Sequence, residues 1–338
     1  MKQTLSFDDV LLLPQYSDIE SRSEVSLESS LGPGLDFNLP IISAPMDTIT
    51  EWEMLREMSK CGGSGILHRY MTAHEQVRQL VEAVARPGSG PVGVALGANE
   101  PVAVRAESLL GLGASYVCID VAHAHHIMVK RAIQRLRSKF GSDIHIMAGN
   151  VATLEAFNTL SDWGADSIKV GIGGGSICST RLKTGHGMPT FESILQCAQS
   201  DRPAKLIADG GIRKSGDIVK ALAAGADFVM LGSLLAGTIE TPGEVICANG
   251  VYKKVYRGMA SREAQQDWRG SVSSDEGVSH MVYLEGPVRE VLNDLATGVR
   301  SGLSYSGARS IPELQAKAKF VMQTSAGVIE GTTHIKER

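Results

Sequence analysis

The sequence predicts an α/β chain folded as a (β/α)8 barrel with a C-terminal extension. Three observations point there. Eight short apolar runs recur along the first 233 residues, segments of helical period separate them, and polar residues or glycine follow each run. The runs are LPIISAP (39–45), GSGIL (63–67), VGVAL (92–96), YVCIDV (116–121), IHIMAG (144–149), SIKVGI (167–172), KLIADG (205–210) and FVMLGS (228–233). Each is too short for a helix and most are rich in β-branched residues, whereas spacers such as HEQVRQLVEAVA (74–85) and SGDIVKALAAGA (215–226) carry the helical period. Eight alternating units suggest closure into a barrel. A doubly wound open sheet is the alternative that periodicity alone leaves standing.

Barrel active sites sit at the C-terminal ends of the strands. Those positions hold Met46-Asp47, His68-Arg69, Gly97, Asp120 followed by His123, Gly149-Asn150, the glycines at 173–175, Asp209-Gly210-Gly211 and Gly232-Ser233. Beyond Gly237 the pattern changes to a mixed segment (238–286), a helix expected over 287–298, and a tail. The chain therefore reads as one catalytic domain, 1–338, with the barrel at about 38–240 and a flap and C-terminal extension at 241–338. Asp8 and Asp9 are expected to organise an N-terminal segment lying under the barrel.

Composition excludes several function classes. With 33 Lys and Arg against 37 Asp and Glu, the net charge of −4 argues against a general nucleic-acid surface. The five cysteines, at 61, 118, 178, 197 and 247, form no CxxC or Cys/His cluster, which suits reduced cytoplasmic thiols better than disulfides or zinc. The start, MKQTLSFDDV, lacks the apolar run of a signal peptide, and no stretch of eighteen apolar residues occurs. A cytoplasmic location, with no membrane association, is expected.

The stretch VGIGGGSICSTRLKTGHG (170–187) surrounds one thiol with glycine. Glycines at 171, 173, 174 and 175 are expected to allow positive φ and close approach to a ligand or ion. Cys178 stands on this loop, while the other four cysteines read as structural, in strands, a helix or beside a turn. ADGGIRKSGD and MLGSLLAG follow runs seven and eight, where barrels bind phosphate through glycine N–H groups. Asp209 there would repel a phosphate but would accept hydrogen bonds from ribose hydroxyls. A nucleoside monophosphate meets both demands.

GIGGGSICSTR, ISAPMDT, IADGGIRKSGDIVKALAAGA, GSLLAGTIETPGE and YRGMAS resemble the inosine monophosphate dehydrogenase and guanosine monophosphate reductase superfamily, from FDDVLLLP near the start to SAGVIEG near the end. The resemblance implies a barrel, usually tetrameric, whose cysteine attacks C2 of a purine nucleoside monophosphate while a nicotinamide cofactor gives or takes hydride there. It makes Cys178 the nucleophile, with Thr180 and Glu276 in its proton chemistry. Ser176, Gly211, Gly232, Ser233 and Tyr256 match phosphate contacts, beside Gly210 and Gly258. Asp209 matches the ribose contact, and Met259, with Met46 and Glu276, the purine contacts. Asp120 and Asn150 look like cofactor-side residues. Lys169, ending run six, is expected from its position to meet the cofactor, with a salt bridge at the barrel rim as the alternative. Carbonyls of Gly173, Gly175 and Cys178 match a monovalent-cation site for K+, completed by Glu330 of a neighbouring subunit.

Two reactions divide this superfamily. Its dehydrogenases hydrolyse a covalent intermediate, typically with an Arg-Tyr pair on a long flap and often with inserted regulatory domains. Here residues 260–275, ASREAQQDWRGSVSSD, contain no Arg-Tyr, and nothing is inserted between HRYM and GVALGAN. The expectation is an NADPH-dependent GMP reductase, with NAD-dependent IMP dehydrogenase as the alternative. LKTG (182–185) resembles reductases, while ISAPMDT, HRYM and SAGVIEG look more like dehydrogenases. Arg69 stands where reductases carry Lys, Gly174 replaces a proline, and Ser179 replaces a threonine. A non-catalytic nucleotide binder is a third reading, opposed by Cys178, Thr180 and Glu276 occurring together. His123, His125 and His126 are expected to contact substrate or cofactor rather than a metal. Trp268 and Arg269 suggest a truncated lid over the nicotinamide, with a solvent-facing loop as the alternative.

Overall fold

The computed structural model describes residues 3–85, 90–99, 101–273 and 275–332, with no side-chain description for Ala248. Strand β1 (Val10–Leu12) and a hairpin, β2 (Ser29–Gly32) with β3 (Leu35–Phe37), precede the repeating part. There, strands β4 (Ile41–Ser43), β5 (Ser64–Leu67), β6 (Gly93–Leu96), β7 (Tyr116–Asp120), β8 (His145–Val151), β9 (Ser167–Val170), β10 (Lys205–Asp209) and β11 (Phe228–Leu231) match the eight apolar runs. Between them lie α1 (Trp52–Lys60), α2 (Ala73–Val84), α3 (Val102–Gly111), α4 (Ile127–Phe140), α5 (Leu154–Asp162), the short α6 (Thr180–Thr184), α7 (Thr190–Cys197) and α8 (Ser215–Ala223). All eight strands pair in parallel, and β11 closes the ring on β4 through Val229 opposite Ile41 and Leu231 opposite Ser43. The chain is a (β/α)8 barrel.

Strands covered on both faces are mostly apolar, and β5, β6, β9 and β11 are buried at every position, with Ser64, Ser167 and Lys169 as their polar members. One face meets the helices. The other fills the barrel with Ile42, Ile66, Tyr116, Cys118, Met147 and Phe228 among others. Polar atoms in this interior are paired: the Ser64 and Tyr116 hydroxyls lie 2.9 Å apart, and His145 Nε2 lies 2.8 Å from Ser167 Oγ. Burial pushes the Cys118 thiol up to about 12, so that thiol is inert.

The bottom of the barrel is sealed by the β2–β3 hairpin, whose Leu31, Leu35 and Phe37 join the interior cluster. Phe37 meets Phe228 edge-on at 5.5 Å. The N-terminal segment is elsewhere, contrary to the expectation that it lies under the barrel. Asp8 accepts from Arg213, in the loop after β10, through both carboxylate oxygens at 2.6 Å, and Lys220 Nζ donates to the Phe7 carbonyl at 2.8 Å. These cations draw the acidic turn to the catalytic end, while Asp9 stays local and accepts from Ser6.

Past the barrel, β12 (Ile246–Ala248), β13 (Val251–Arg257) and β14 (Ser279–Tyr283) form an antiparallel sheet, with α9 (Arg262–Arg269) between the last two. Lys254 anchors this sheet, its buried ammonium donating to the carbonyls of Thr238 (3.4 Å), Ile239 (3.2 Å) and Thr241. Helix α10 (Val288–Tyr305) outruns the expected 287–298. Gly298 reads as a stop but is a contact: a Cβ there would stand 2.3 Å from Ser215 Oγ, so glycine lets α10 lie close against α8. Helix α11 (Ile311–Lys317), β15 (Phe320–Met322) and α12 (Ser325–Glu330) follow, with β15 pairing antiparallel to β1. No helix among the described residues is long and apolar enough to cross a membrane.

Phe37→Ala should lower unfolding free energy by about 3–5 kcal/mol in denaturant titrations, because it opens a cavity that no neighbour fills. A loss under about 1 kcal/mol would contradict the hairpin's role as the plug.

Candidate active site

The loop after β9 carries the thiol, and the chain following α9 fastens it. Cys178 and Gly277 form an antiparallel bridge, flanked by hydrogen bonds from Ser179 N–H to the Glu276 carbonyl (2.9 Å) and from Val278 N–H to the Ile177 carbonyl (3.0 Å). Cys178 Sγ, half-buried, donates to Thr180 Oγ1 at 3.2 Å. Gly171 and Gly173 adopt positive φ, at 149° and 79°; Gly174 and Gly175 do not, which corrects the expectation for those two.

This loop borders a cavity of about 430 Å3 at the C-terminal ends of the strands, within the size range of small-molecule sites. Ser176, Gly210, Gly211, Gly232 and Ser233 line one side with hydroxyls and loop backbone. Tyr256 reaches the same side from β13. Burial pushes its phenol up to about 12 against a hydrogen bond with Ser176, so the hydroxyl stays protonated and able to donate. Met46, Gly258, Met259 and Glu276 line the region beside Cys178, and Asp47 N–H donates to Met259 Sδ at 3.2 Å.

On the opposite wall a buried cation organises three polar side chains. Lys169 Nζ lies 2.5 Å from Asp120 Oδ1 and 3.4 Å from Asp209 Oδ2, and Asn150 Nδ2 donates to the same Asp209 oxygen at 2.8 Å. Burial alone would lower the lysine's pKa, but the two carboxylates outweigh it and hold the ammonium above the usual lysine range. Asp209 is thereby aimed into the cavity with acceptor capacity to spare.

A lid covers the mouth. Ser261 caps α9 by accepting from Ala264 N–H at 3.2 Å, and Arg257 ties β13 to Asp47 (2.7 Å) and to Asp267 on α9 (2.6 Å). Trp268 stacks on Tyr70 with centroids 5.8 Å apart, and Arg269 Nη2 lies 3.5 Å from the Tyr70 hydroxyl. Gln265 Oε1 accepts from both Ser273 N–H and Ser273 Oγ at 3.1 Å. Tyr70, Gln265 and Ser273 line the cavity and were missing from the sequence-derived set. Tyr70 had a signal, since it follows a barrel strand within HRYM; the other two had none.

The structure gathers Cys178, Thr180, Glu276, Asp120, Asn150, Lys169, Gly173, Gly175 and the residues expected to contact phosphate around this one cavity. Glu330 is not among them; it is exposed on α12. The histidines also depart from expectation, because the wall ends at Ala122. His126 instead caps α4 by accepting from Met128 N–H at 3.2 Å, and His125 faces the Trp163 ring at 6.0 Å. Among the described residues no group of three His, Cys, Asp or Glu is placed to hold a metal ion.

Lys169→Met should cost about 3–5 kcal/mol of stability, measured by denaturant unfolding, by stranding two carboxylates. Because the lysine's folded pKa is raised, its contribution is fully present below the unfolded value of about 10.4 and is lost as pH rises through the folded value. The wild-type contribution should therefore stay constant between about pH 6 and pH 9; a steep fall there would contradict the charged assignment.

Residues 4–334 match the family model for the IMP dehydrogenase / GMP reductase domain. An inosine-5′-monophosphate dehydrogenase of Nitrosopumilus maritimus is 33% identical, the match covering 98% of each chain, and one of Cryptosporidium parvum is 36% identical over 98% of this chain and 94% of the relative. A GMP reductase of Leishmania major is 30% identical over 99% of this chain and 97% of that one. The fold superposes on a crystal structure of a GMP reductase variant from Trypanosoma brucei in complex with guanosine 5′-monophosphate, with a TM-score of 0.94 and 30% identity, covering 100% and 99% of the two chains. With a barrel, a loop-borne thiol and a matched domain over nearly its whole length, this chain belongs to the IMP dehydrogenase / GMP reductase family of purine nucleotide oxidoreductases.

Proposed function

We propose that the protein is a GMP reductase that converts GMP to IMP and ammonia with NADPH. The observation that carries this reading is the lid. Residues 260–273 are taken up by α9 and its return, held through Trp268 on Tyr70 and Gln265 on Ser273, and their sequence offers no adjacent Arg-Tyr pair to activate water. The GMP in the Trypanosoma brucei neighbour supports the choice of substrate.

In this reading the nucleotide's phosphate lies against Ser176, Gly211, Gly232, Ser233 and Tyr256, and Asp209 accepts from the ribose hydroxyls. Cys178 Sγ forms a bond to C2 as its proton passes to the purine ring. Thr180, in hydrogen-bond contact with that sulfur, and Glu276 then deliver a proton to the exocyclic amine, and the C2–N bond breaks to release ammonia. A reduced nicotinamide, when bound, supplies the hydride that replaces the amine at C2. The C–S bond breaks last, returning the electron pair to sulfur. Tyr70, Asp120, Asn150 and Arg269 provide stacking and hydrogen-bonding groups suited to a nicotinamide nucleoside along the remaining wall.

The reading extends to K+ on the carbonyls of Gly173, Gly175 and Cys178, and to a homotetramer. Exposed Ile246, Tyr252, Met281 and Tyr283 on the β12–β14 sheet support assembly, and five free thiols support a cytoplasmic setting. Glu330 of the partner subunit would complete the cation site.

One observation favours the second reading, IMP dehydrogenase. Arg269 and Tyr70 meet at the cavity mouth, so an Arg/Tyr pair exists in space although the sequence separates its members. The paired assay decides. GMP with NADPH should oxidise the cofactor and release ammonia, while IMP with NAD+ should be slow. Cys178→Ala should abolish turnover and leave GMP binding nearly intact, and Glu276→Gln should lower kcat by about 10²-fold or more at modest cost in binding. Rapid formation of NADH from IMP, with GMP inert, would overturn the reductase reading.

A further inference from the structure

His68 follows β5 at the catalytic end of the barrel, yet it is buried and lies outside the cavity wall. Its partners explain why an imidazole is kept there. Tyr70 N–H lies 3.2 Å from His68 Nδ1, and the Glu51 carboxylate lies 3.3 Å from Nε2. A backbone N–H can only donate, so Nδ1 is the acceptor and the ring proton belongs on Nε2, facing Glu51. Buried Gln79 on α2 fixes that carboxylate by donating to it at 2.8 Å, while its own carbonyl accepts from Trp52 N–H at 3.0 Å.

The rest of the loop is tied from the same side. Gln76 of α2 donates to the His68 carbonyl at 3.1 Å, and Arg105 of α3 donates to Gln76 Oε1 at 2.9 Å and to the Met71 carbonyl at 3.3 Å. The backbone around Tyr70 is therefore anchored to two helices. Its ring meets the lid instead, with Trp268 stacked on it at 5.8 Å and 14° between the planes. Arg69, held by donating to the Asp120 carbonyl at 3.1 Å, places its guanidinium 5.2 Å from the centre of the Tyr70 ring.

Helix α9 buries only Ala264 and Gln265. With so little of its own surface under cover, it relies on side-chain ties such as this stack to stay closed. Tyr70 lines the cavity and half-buried Trp268 does not, so Trp268 covers Tyr70 from the outer side.

We propose that His68 is a positioning residue: by holding the Tyr70 backbone it sets the fixed half of a latch, Tyr70 against Trp268, that keeps water from the purine C2 while C2 is bonded to Cys178. The inference rests on the reductase reading. Once ammonia has left, C2 carries the sulfur and is electrophilic, and closed sites protect such intermediates from hydrolysis. If water enters, its oxygen bonds to C2 as one proton passes to a ring nitrogen. The C–S bond then breaks with its electron pair returning to sulfur, and the second proton joins that thiolate. The net reaction, GMP and water to xanthosine monophosphate (XMP) and ammonia, needs no oxidant or reductant.

Turnover of GMP with NADPH in heavy-oxygen water tests the latch. The wild-type chain should yield IMP with XMP near the detection limit. His68→Gln keeps a donor for Glu51 but loses the acceptor for Tyr70, and should raise the XMP share about tenfold, as one lost hydrogen bond allows. The label should appear on C2 of that XMP. His68→Asn keeps an acceptor where Nδ1 stood and should restore nearly the wild-type partition. Trp268→Ala removes the other half of the latch, should raise XMP by a similar factor, and carries the test if His68→Gln fails to fold. The double variant should be no leakier than Trp268→Ala alone, because both act through one contact. Trypsin cleavage after Arg262 and Arg269 of α9 should quicken in the same order without any nucleotide. IMP as the sole product of His68→Gln and Trp268→Ala, equal XMP from the Gln and Asn variants, additive effects in the double variant, or trypsin rates unmoved by His68→Gln would overturn the latch and leave the reductase reading standing. Rapid XMP formation from IMP and NAD+ by the wild-type chain would overturn that reading and the water shield together.

Discussion

Two backbone hydrogen bonds, from Ser179 N–H to the Glu276 carbonyl and from Val278 N–H to the Ile177 carbonyl, hold together everything the site does. They join a loop of the barrel to the return of a lid that the chain makes much later. A glycine-rich loop would otherwise sample many conformations, because glycine loses more backbone freedom on ordering than any other residue. Pairing against residues 276–278 confines it, so the thiol and the Glu276 carboxyl border the same space by construction. The lid has its own supports, the cap at Ser261 and the Arg257 pairs to Asp47 and Asp267. Pre-positioning of this kind removes an entropic cost from the chemical step.

The opposite wall relies on charge. Asp120 and Asp209 would repel each other across the top of the barrel, and Lys169 between them makes the arrangement tolerable. The pair distances are unequal, 2.5 and 3.4 Å, so the ammonium is committed mainly to Asp120. Asp209 is left free to accept from a ligand while Asn150 steadies it. The lysine is consequently a positioning residue, and the two carboxylates that hold it charged keep it from trading protons during turnover.

The barrel was legible because its strands are covered on both faces and read as apolar runs in any register. Helix α10 was read short because Gly298 looks the same in sequence whether it ends a helix or lets two helices touch. The placement of Asp8 was illegible for a different reason: its partner, Arg213, lies far along the chain, and only folding brings them within 2.6 Å. Cys178, Thr180 and Glu276 were readable through motif resemblance, and the structure brings them to one cavity. Tyr70 and Gln265 escaped notice because neither residue type announces a site; only the lid's packing makes them part of one. His125 and His126 stand out by their chemistry, yet His126 caps α4 and His125 faces Trp163.

The most direct measurement is to quench the enzyme with acid during turnover of GMP and NADPH and examine the tryptic peptide 170–181, VGIGGGSICSTR, by mass spectrometry. A covalent purine nucleotide on Cys178, absent when GMP is omitted and absent from the corresponding peptide of the Cys178→Ala protein, is the predicted result. An unmodified Cys178 peptide throughout turnover, or an adduct on a different cysteine, would contradict the account.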